Sequence, residues 1–343
     1  MKNLKKYLIL SLLAILLGFV GCQHPQTEEQ KLADFFAKDN VRIIVTDSGL
    51  GGLSVAADVF ERLKINKVFK NAEVIFFNAQ PHLESGYNMM ATTDQKVRVF
   101  DNALHAMDKE FKPDAILIAC NTLSVLYDYT NYSKDNDIPV ISIVGTGVDL
   151  IKSEMTEDSS QVIIFATGTT VKQGKHKAAL IKDGISADRI WTQACPGLAG
   201  QIERGPHSDS TVALVNKFVK EITSEIPESN KNLLVSYNCT HYGYVDDVFK
   251  KAFKDAGIHV KKFLDPNPLM SDFMFEKQYL NRYPDGRVNI KVFSQPEIIP
   301  EKQTAISDLI KIQSPETAVG LLNYTFVPEF FEWRSMAETV PEQ

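Results

Sequence analysis

From Val41 onward, short apolar runs of strand length alternate with longer amphipathic stretches, and this alternation limits the fold more than any other feature of the chain. The apolar runs predict strands over residues 41–46, 72–78, 114–119, 139–144, 161–166, 189–194, 232–237 and 259–264. Helical patterns lie between them, over 92–111, 123–136, 171–183, 208–225 and 245–256. Strand and helix in turn make βαβ units, so the expected fold class is α/β with mainly parallel sheets. Asp, Asn, Ser, Thr and Gly gather just past the strands, where such sheets place their ligands. After Asp265 the pattern loosens. Prolines at 266, 268, 284, 296 and 300 interrupt it, leaving one more strand over 288–293 and short helices over 306–312 and 317–322. The aromatic cluster Tyr324, Phe326, Phe330, Phe331 and Trp333 is expected to pack back on the body, and no chemistry is legible there.

A faint repeat runs through the alternation. Asp47-Ser48-Gly49 follows the first strand, and Cys120-Asn121-Thr122 begins 73 residues after Asp47. Thr167-Gly168-Thr169 follows a later strand, and Cys239-Thr240-His241 begins 72 residues after Thr167. Two pseudo-symmetric α/β domains facing each other would bring both cysteines to one cleft. The expected division puts 41–139 with 246–343 in the first domain and 140–245 in the second.

The net charge of −6 leaves no basic footprint, so nucleic acid is not an expected partner. Lys2, Lys5 and Lys6 precede an apolar run of 14 residues from Tyr7 to Val20. That is short of the ~20 needed to span a bilayer and has the size of a signal-peptide core. It ends in Phe19-Val20-Gly21-Cys22, the layout of a bacterial lipoprotein processing site with Cys22 as the lipidated residue. Residues 1–22 are thus expected to be a signal peptide and 23–40 a polar tether leading into a first helix. An exported, membrane-anchored lipoprotein of the periplasm or outer membrane would result; a plain secretory signal or a short uncleaved anchor is the competing reading of the same run. With Cys22 set aside, Cys120, Cys195 and Cys239 remain, an odd number that leaves at least one thiol free.

Cys120 and Cys239 each sit between a strand end and an expected helix start, where the positive helix end favours thiolate. Thr122 and Thr240 are the expected caps of those helices. Asp47 ends an apolar strand, and Gly49, Gly51 and Gly52 behind it let the backbone approach a ligand. The dinucleotide fingerprint fails at Ser54, and no lysine makes a nucleotide-phosphate loop. Cys120, Cys239 and His241 would suffice for three metal ligands, yet C-x₂-C and H-x₃-H spacings are absent. A Cys-His-Asp hydrolase would leave the second thiol without a task. Two thiols across a cleft fit best as two bases, one removing a proton from a carbon and the other returning a proton to the opposite face. Glu203 is not selected by pattern.

Asp47-Ser48-Gly49-Leu50-Gly51-Gly52-Leu53-Ser54, Ala119-Cys120-Asn121-Thr122 and Cys239-Thr240-His241-Tyr242 resemble the three signature blocks of glutamate racemase, in the aspartate/glutamate racemase superfamily. Ala166-Thr167-Gly168-Thr169-Thr170-Val171, Ala194-Cys195-Pro196-Gly197 and Ile202-Glu203-x-Gly205 fit further blocks in order, from about Val41 to Pro266. The resemblance implies a cofactor-independent amino-acid racemase with Cys120 and Cys239 as its two bases. Asp47 and His241 would assist them, with Glu203 a helper on the His241 side. Ser48, Asn121, Thr122 and Thr240 would hold the ammonium and carboxylates of a small acidic amino acid, glutamate or aspartate, and Cys195 would be non-catalytic. A homodimer stays open. Members of the family supply D-glutamate for the cell wall from the cytoplasm, unlike an exported chain. Two positions depart from the pattern. The usual Pro-Tyr-Gly loop reads Asn78-Ala79-Gln80-Pro81-His82-Leu83-Glu84-Ser85-Gly86-Tyr87, and Asn238 replaces a common glycine, where a side chain is expected to crowd Cys239. The readings that compete are a binding lipoprotein that kept the cleft without turnover, and a lyase or isomerase needing one cysteine.

Overall fold

Strand β1 (Asn40–Asp47) pairs in parallel with β2 (Asn71–Asn78) on one side and β3 (Ala115–Ile118) on the other. The computed structural model describes residues 26–83, 86–226 and 232–337, so Cys22 and the signal-like run lie outside the described residues. Strand β4 (Val140–Ser142) adds to β3, and β9 (Arg287–Ser294) adds to β2 with β10 (Thr325–Phe326) beyond it. The first sheet therefore runs β10-β9-β2-β1-β3-β4. A second sheet runs β6-β5-β7-β8, from β6 (Ile190–Ala194), β5 (Gln161–Ala166), β7 (Leu233–Asn238) and β8 (Lys262–Leu264). Every pairing is parallel.

The faint repeat becomes a topological one: the order β2-β1-β3-β4 recurs as β6-β5-β7-β8. Two expected domain edges shift accordingly. Val140–Ser142 belongs to the first sheet and Lys262–Leu264 to the second, because each closes the edge of its own repeat by backbone pairing. The first sheet is covered on both faces. Ile43 and Val45 point to one core, with Leu53 and Phe60, while Ile44 and Phe77 point to the other, with Phe100 and Leu104. This is the period-two alternation of a doubly covered strand.

Other expectations need correction. Residues 28–37 are no tether: Glu28–Ala37 is a helix opened by a reciprocal Thr27–Gln30 capping box. It buries Phe35 and Phe36 in the first core, with Phe36 stacked on Tyr279 at 3.7 Å between ring centroids. The helical pattern of 123–136 is broken into Asn121–Tyr127 and Tyr132–Asp135. That of 171–183 is split at Gly174, whose φ of 63° is left-handed.

Candidate active site

The two repeats present the ends of β1 and β3 to the ends of β5 and β7, and the polar residues past these strands meet across the junction. Asp47, the last residue of β1, is 1% exposed and accepts a hydrogen bond at Oδ2 from Thr240 Oγ1 at 2.7 Å. The Cys120 thiol lies 3.0 Å from Ser48 Oγ. On the other side, Cys239 Sγ lies 3.7 Å from His241 Nδ1, and His241 Nε2 is 2.8 Å from Glu203 Oε1. Asp47, Ser48, Cys120, Glu203, Cys239, Thr240 and His241 thus converge. All three cysteines of the described residues are free and buried.

The glycines after Asp47 allow a close approach between the two repeats. A Cβ on Gly49 would lie 2.7 Å from Glu203 Oε1, and one on Gly51 would lie 2.6 Å from His241 Nδ1. They let the β1 turn seat itself against the second repeat's own side chains. The Leu50 amide, between them, donates to Glu203 Oε1 at 2.7 Å.

The expected helix caps are not what the threonines do. Cys120 itself occupies the N-cap position of Asn121–Tyr127, and His241 that of the short turn Tyr242–Val245. Thr122 instead reaches across to Thr167, Oγ1 to Oγ1 at 2.7 Å, and Thr240 reaches Asp47. Asn121 is 1% exposed with no protein partner for either end of its amide among the described residues. The Tyr87 hydroxyl, on the altered loop, is buried in the same condition, and burial and the neighbouring Cys120 push its phenol well up. Asn238 does not crowd Cys239. Strand alternation turns it to the opposite face of β7, where its Nδ2 lies against Gly147 beside His176.

Electrostatics also depart from the helix-dipole expectation. Burial, then the charge of Asp47, push the Cys120 thiol up, outweighing the Ser48 hydroxyl and the Leu123 amide. At rest Cys120 is a thiol. Burial raises the Asp47 carboxyl too, against the pull of His241 and Thr240, which makes it a better proton acceptor for the thiol it contacts. Burial opposes charge on His241, but hydrogen bonds with Cys239 and Glu203 hold the ring well above its usual value. Burial would likewise raise Glu203, yet His241 and Lys302 bring its carboxyl down to about 2. The second side is therefore an imidazolium–carboxylate pair beside Cys239.

Lys302 was invisible in the sequence. It lies in the helix Pro300–Ile310, in the segment where no chemistry was legible, and its Nζ is 2.6 Å from Glu203 Oε2. Tyr87 had only its place in the altered loop as a signal. Among the described residues no group of three or more His, Cys, Asp or Glu is placed to hold a metal ion.

No family model matches the chain. A glutamate racemase from Aliarcobacter butzleri is 31% identical over 212 residues, covering 62% of this chain and 75% of that protein. This chain belongs to the glutamate racemase family. A Clostridium perfringens glutamate racemase is 32% identical over 214 residues, 62% of this chain and 74% of the relative. Among solved structures, glutamate racemase from Campylobacter jejuni matches with a TM-score of 0.61 at 21% identity, over 79% of this chain and 97% of that one. Glutamate racemase from Francisella tularensis in complex with D-glutamate matches at 0.60 and 19%, over 80% and 94%. These two share the fold. As a member of the glutamate racemase family, the chain is an isomerase acting as an amino-acid racemase.

Proposed function

We propose that this racemase inverts an acidic amino acid, glutamate first and aspartate second, by a cofactor-independent exchange of protons between Cys120 and Cys239. The observation that carries the reading is the convergence of two buried thiols, each with its own proton partner: Asp47 and Ser48 beside Cys120, His241 and Glu203 beside Cys239. Once Asp47 has taken the Cys120 proton, the thiolate removes the α-proton and becomes a thiol. The carbanion so formed takes a proton from the Cys239 thiol on its other face, leaving Cys239 as thiolate backed by the His241 imidazolium. The reverse direction exchanges these roles. Asn121, with its free amide ends, and Thr122 are suited to the substrate's carboxylate, while Ser48 is suited to its ammonium.

The test incubates the reduced full chain with single enantiomers of glutamate and aspartate in D₂O, following optical rotation and the α-proton signal. Inversion with deuterium entering the α-carbon supports the proposal and identifies the substrate. A folded protein that exchanges neither acid refutes it and leaves the binding module.

We further propose export and lipid anchoring through Cys22, supported by the basic start, the apolar run and Gly21 before the cysteine. Mass spectrometry of the mature protein from a bacterial host should find acyl chains on an N-terminal Cys22, and Cys22→Ala should move the protein out of the membrane fraction. A mature chain still carrying Met1 and unacylated would exclude the anchor.

A further inference from the structure

Three lysines of the described residues are buried, Lys31, Lys96 and Lys302, and their surroundings differ. Lys31 pairs with the exposed Glu28 at 3.1 Å, and Lys96 Nζ donates to Thr169 Oγ1 at 2.7 Å. Only Lys302 meets a carboxylate that is itself buried, Glu203, at 4% exposed. Burying that ion pair is costly unless its remaining bonds are made. Here they are: Oε2 takes Lys302, and Oε1 takes both the Leu50 amide and His241 Nε2.

We infer that Lys302 is a positioning residue of the second proton relay, holding Glu203 so that His241 presents Nδ1 to Cys239 and setting how tightly that ring keeps its proton. The inference rests on the proposed role of Cys239 and His241 as an acid–base pair. The groups facing His241 are Asp47 from the β1 end, Cys239 from the β7 end and Glu203 from the helix Leu198–Arg204. Tyr244 faces Glu203 and Asp47, and Lys302 is the cation that the C-terminal segment adds. With Lys302 in place, the Glu203 charge is shared between two cations. Without it, the repulsion between the two cations is gone, and the imidazolium holds its proton more tightly. The clamp also crosses the cleft: Lys302 comes from a helix packed on the first sheet and Glu203 from the second repeat.

The test is the pH profile of kcat/KM in the full chain. His241 stays an imidazolium throughout the proposed exchange, so the loss of its proton appears as the alkaline limb. Lys302→Gln keeps a hydrogen-bond donor and removes the charge. It is expected to move the alkaline limb up by about one pH unit, from the Coulomb energy of a unit charge at this range. Enantiomers are equally stable in water, so the shift must be the same in both directions. Lys302→Arg should restore the native limb. In a Glu203→Gln background, Lys302→Gln should add a smaller shift, since only the direct repulsion between the two cations is left to remove. A role in stability alone would lower the melting temperature in both Lys302 variants and leave the limb in place. An active Lys302→Gln enzyme with the native limb, or a shift undiminished without Glu203, overturns the inference. A native chain with no racemisation removes instead the reading on which it rests.

Discussion

Cys239→Ala is expected to lower racemisation of both enantiomers by about 10³-fold or more, the contribution of a positioned acid or base, while one enantiomer still exchanges its α-proton with solvent. Cys120 is then the only base left. It can remove the proton on its own face and return a deuteron there, so configuration is retained and inversion is lost. Cys120→Ala should give the mirror result, exchange of the other enantiomer alone. The complementarity is the discriminating feature, since each thiol has its own set of partners. Ser48 lies 3.0 Å from Cys120 Sγ, and His241 Nδ1 lies 3.7 Å from Cys239 Sγ. NMR of the α-proton in D₂O alongside polarimetry reads both quantities. A single variant that still inverts, or exchanges both enantiomers, would show one base serving both faces and end the two-thiol mechanism.

The second large effect concerns a residue with no side chain. Gly51→Ala is expected to reduce kcat about 10²-fold and to destabilise the fold by about 1–3 kcal/mol, as overpacking does. The new methyl would lie 2.6 Å from His241 Nδ1, the atom that faces Cys239. Neither neighbour gives way cheaply: His241 is held by Glu203 at 2.8 Å, and Thr240, also in contact, is held by Asp47 at 2.7 Å. The β1 turn must back away, drawing Asp47 and the Leu50 amide with it. Gly145, inside the helix Ile143–Glu154, meets nothing within 4 Å and is the control; Gly145→Ala should leave turnover unchanged. Steady-state kinetics and urea melts of both variants check this, and native kcat in Gly51→Ala would show that the two repeats do not close as tightly as drawn.

Much of this architecture was written locally. Strands β1 to β9 were predicted, at most a few residues from their observed ends, because side-chain periodicity is a local signal, continuous in a buried strand such as Gln161–Ala166 and alternating in the half-exposed Arg287–Ser294. The same holds for the candidate residues from Asp47 to His241, each placed just past a strand end, where the chain's direction brings it to the cleft. Glu203 was the exception. It lies within a helix, and the resemblance rather than its pattern brought it forward.

What the sequence by itself determined was the α/β repeat and the position of two thiols at matched strand ends, since side-chain periodicity and turn chemistry act within a few residues. Only the tertiary structure decided which atoms meet. Lys302 reaches Glu203 across 99 residues, and Thr240 reaches Asp47 across 193. Asn238 was expected against Cys239 and faces Gly147 instead, because alternation along a strand fixes a face without telling what covers it. The thiol of Cys120 was expected to be acidic from its local helix start. Burial and the Asp47 charge reverse that, because desolvation depends on everything packed around a group and no short stretch of sequence specifies it.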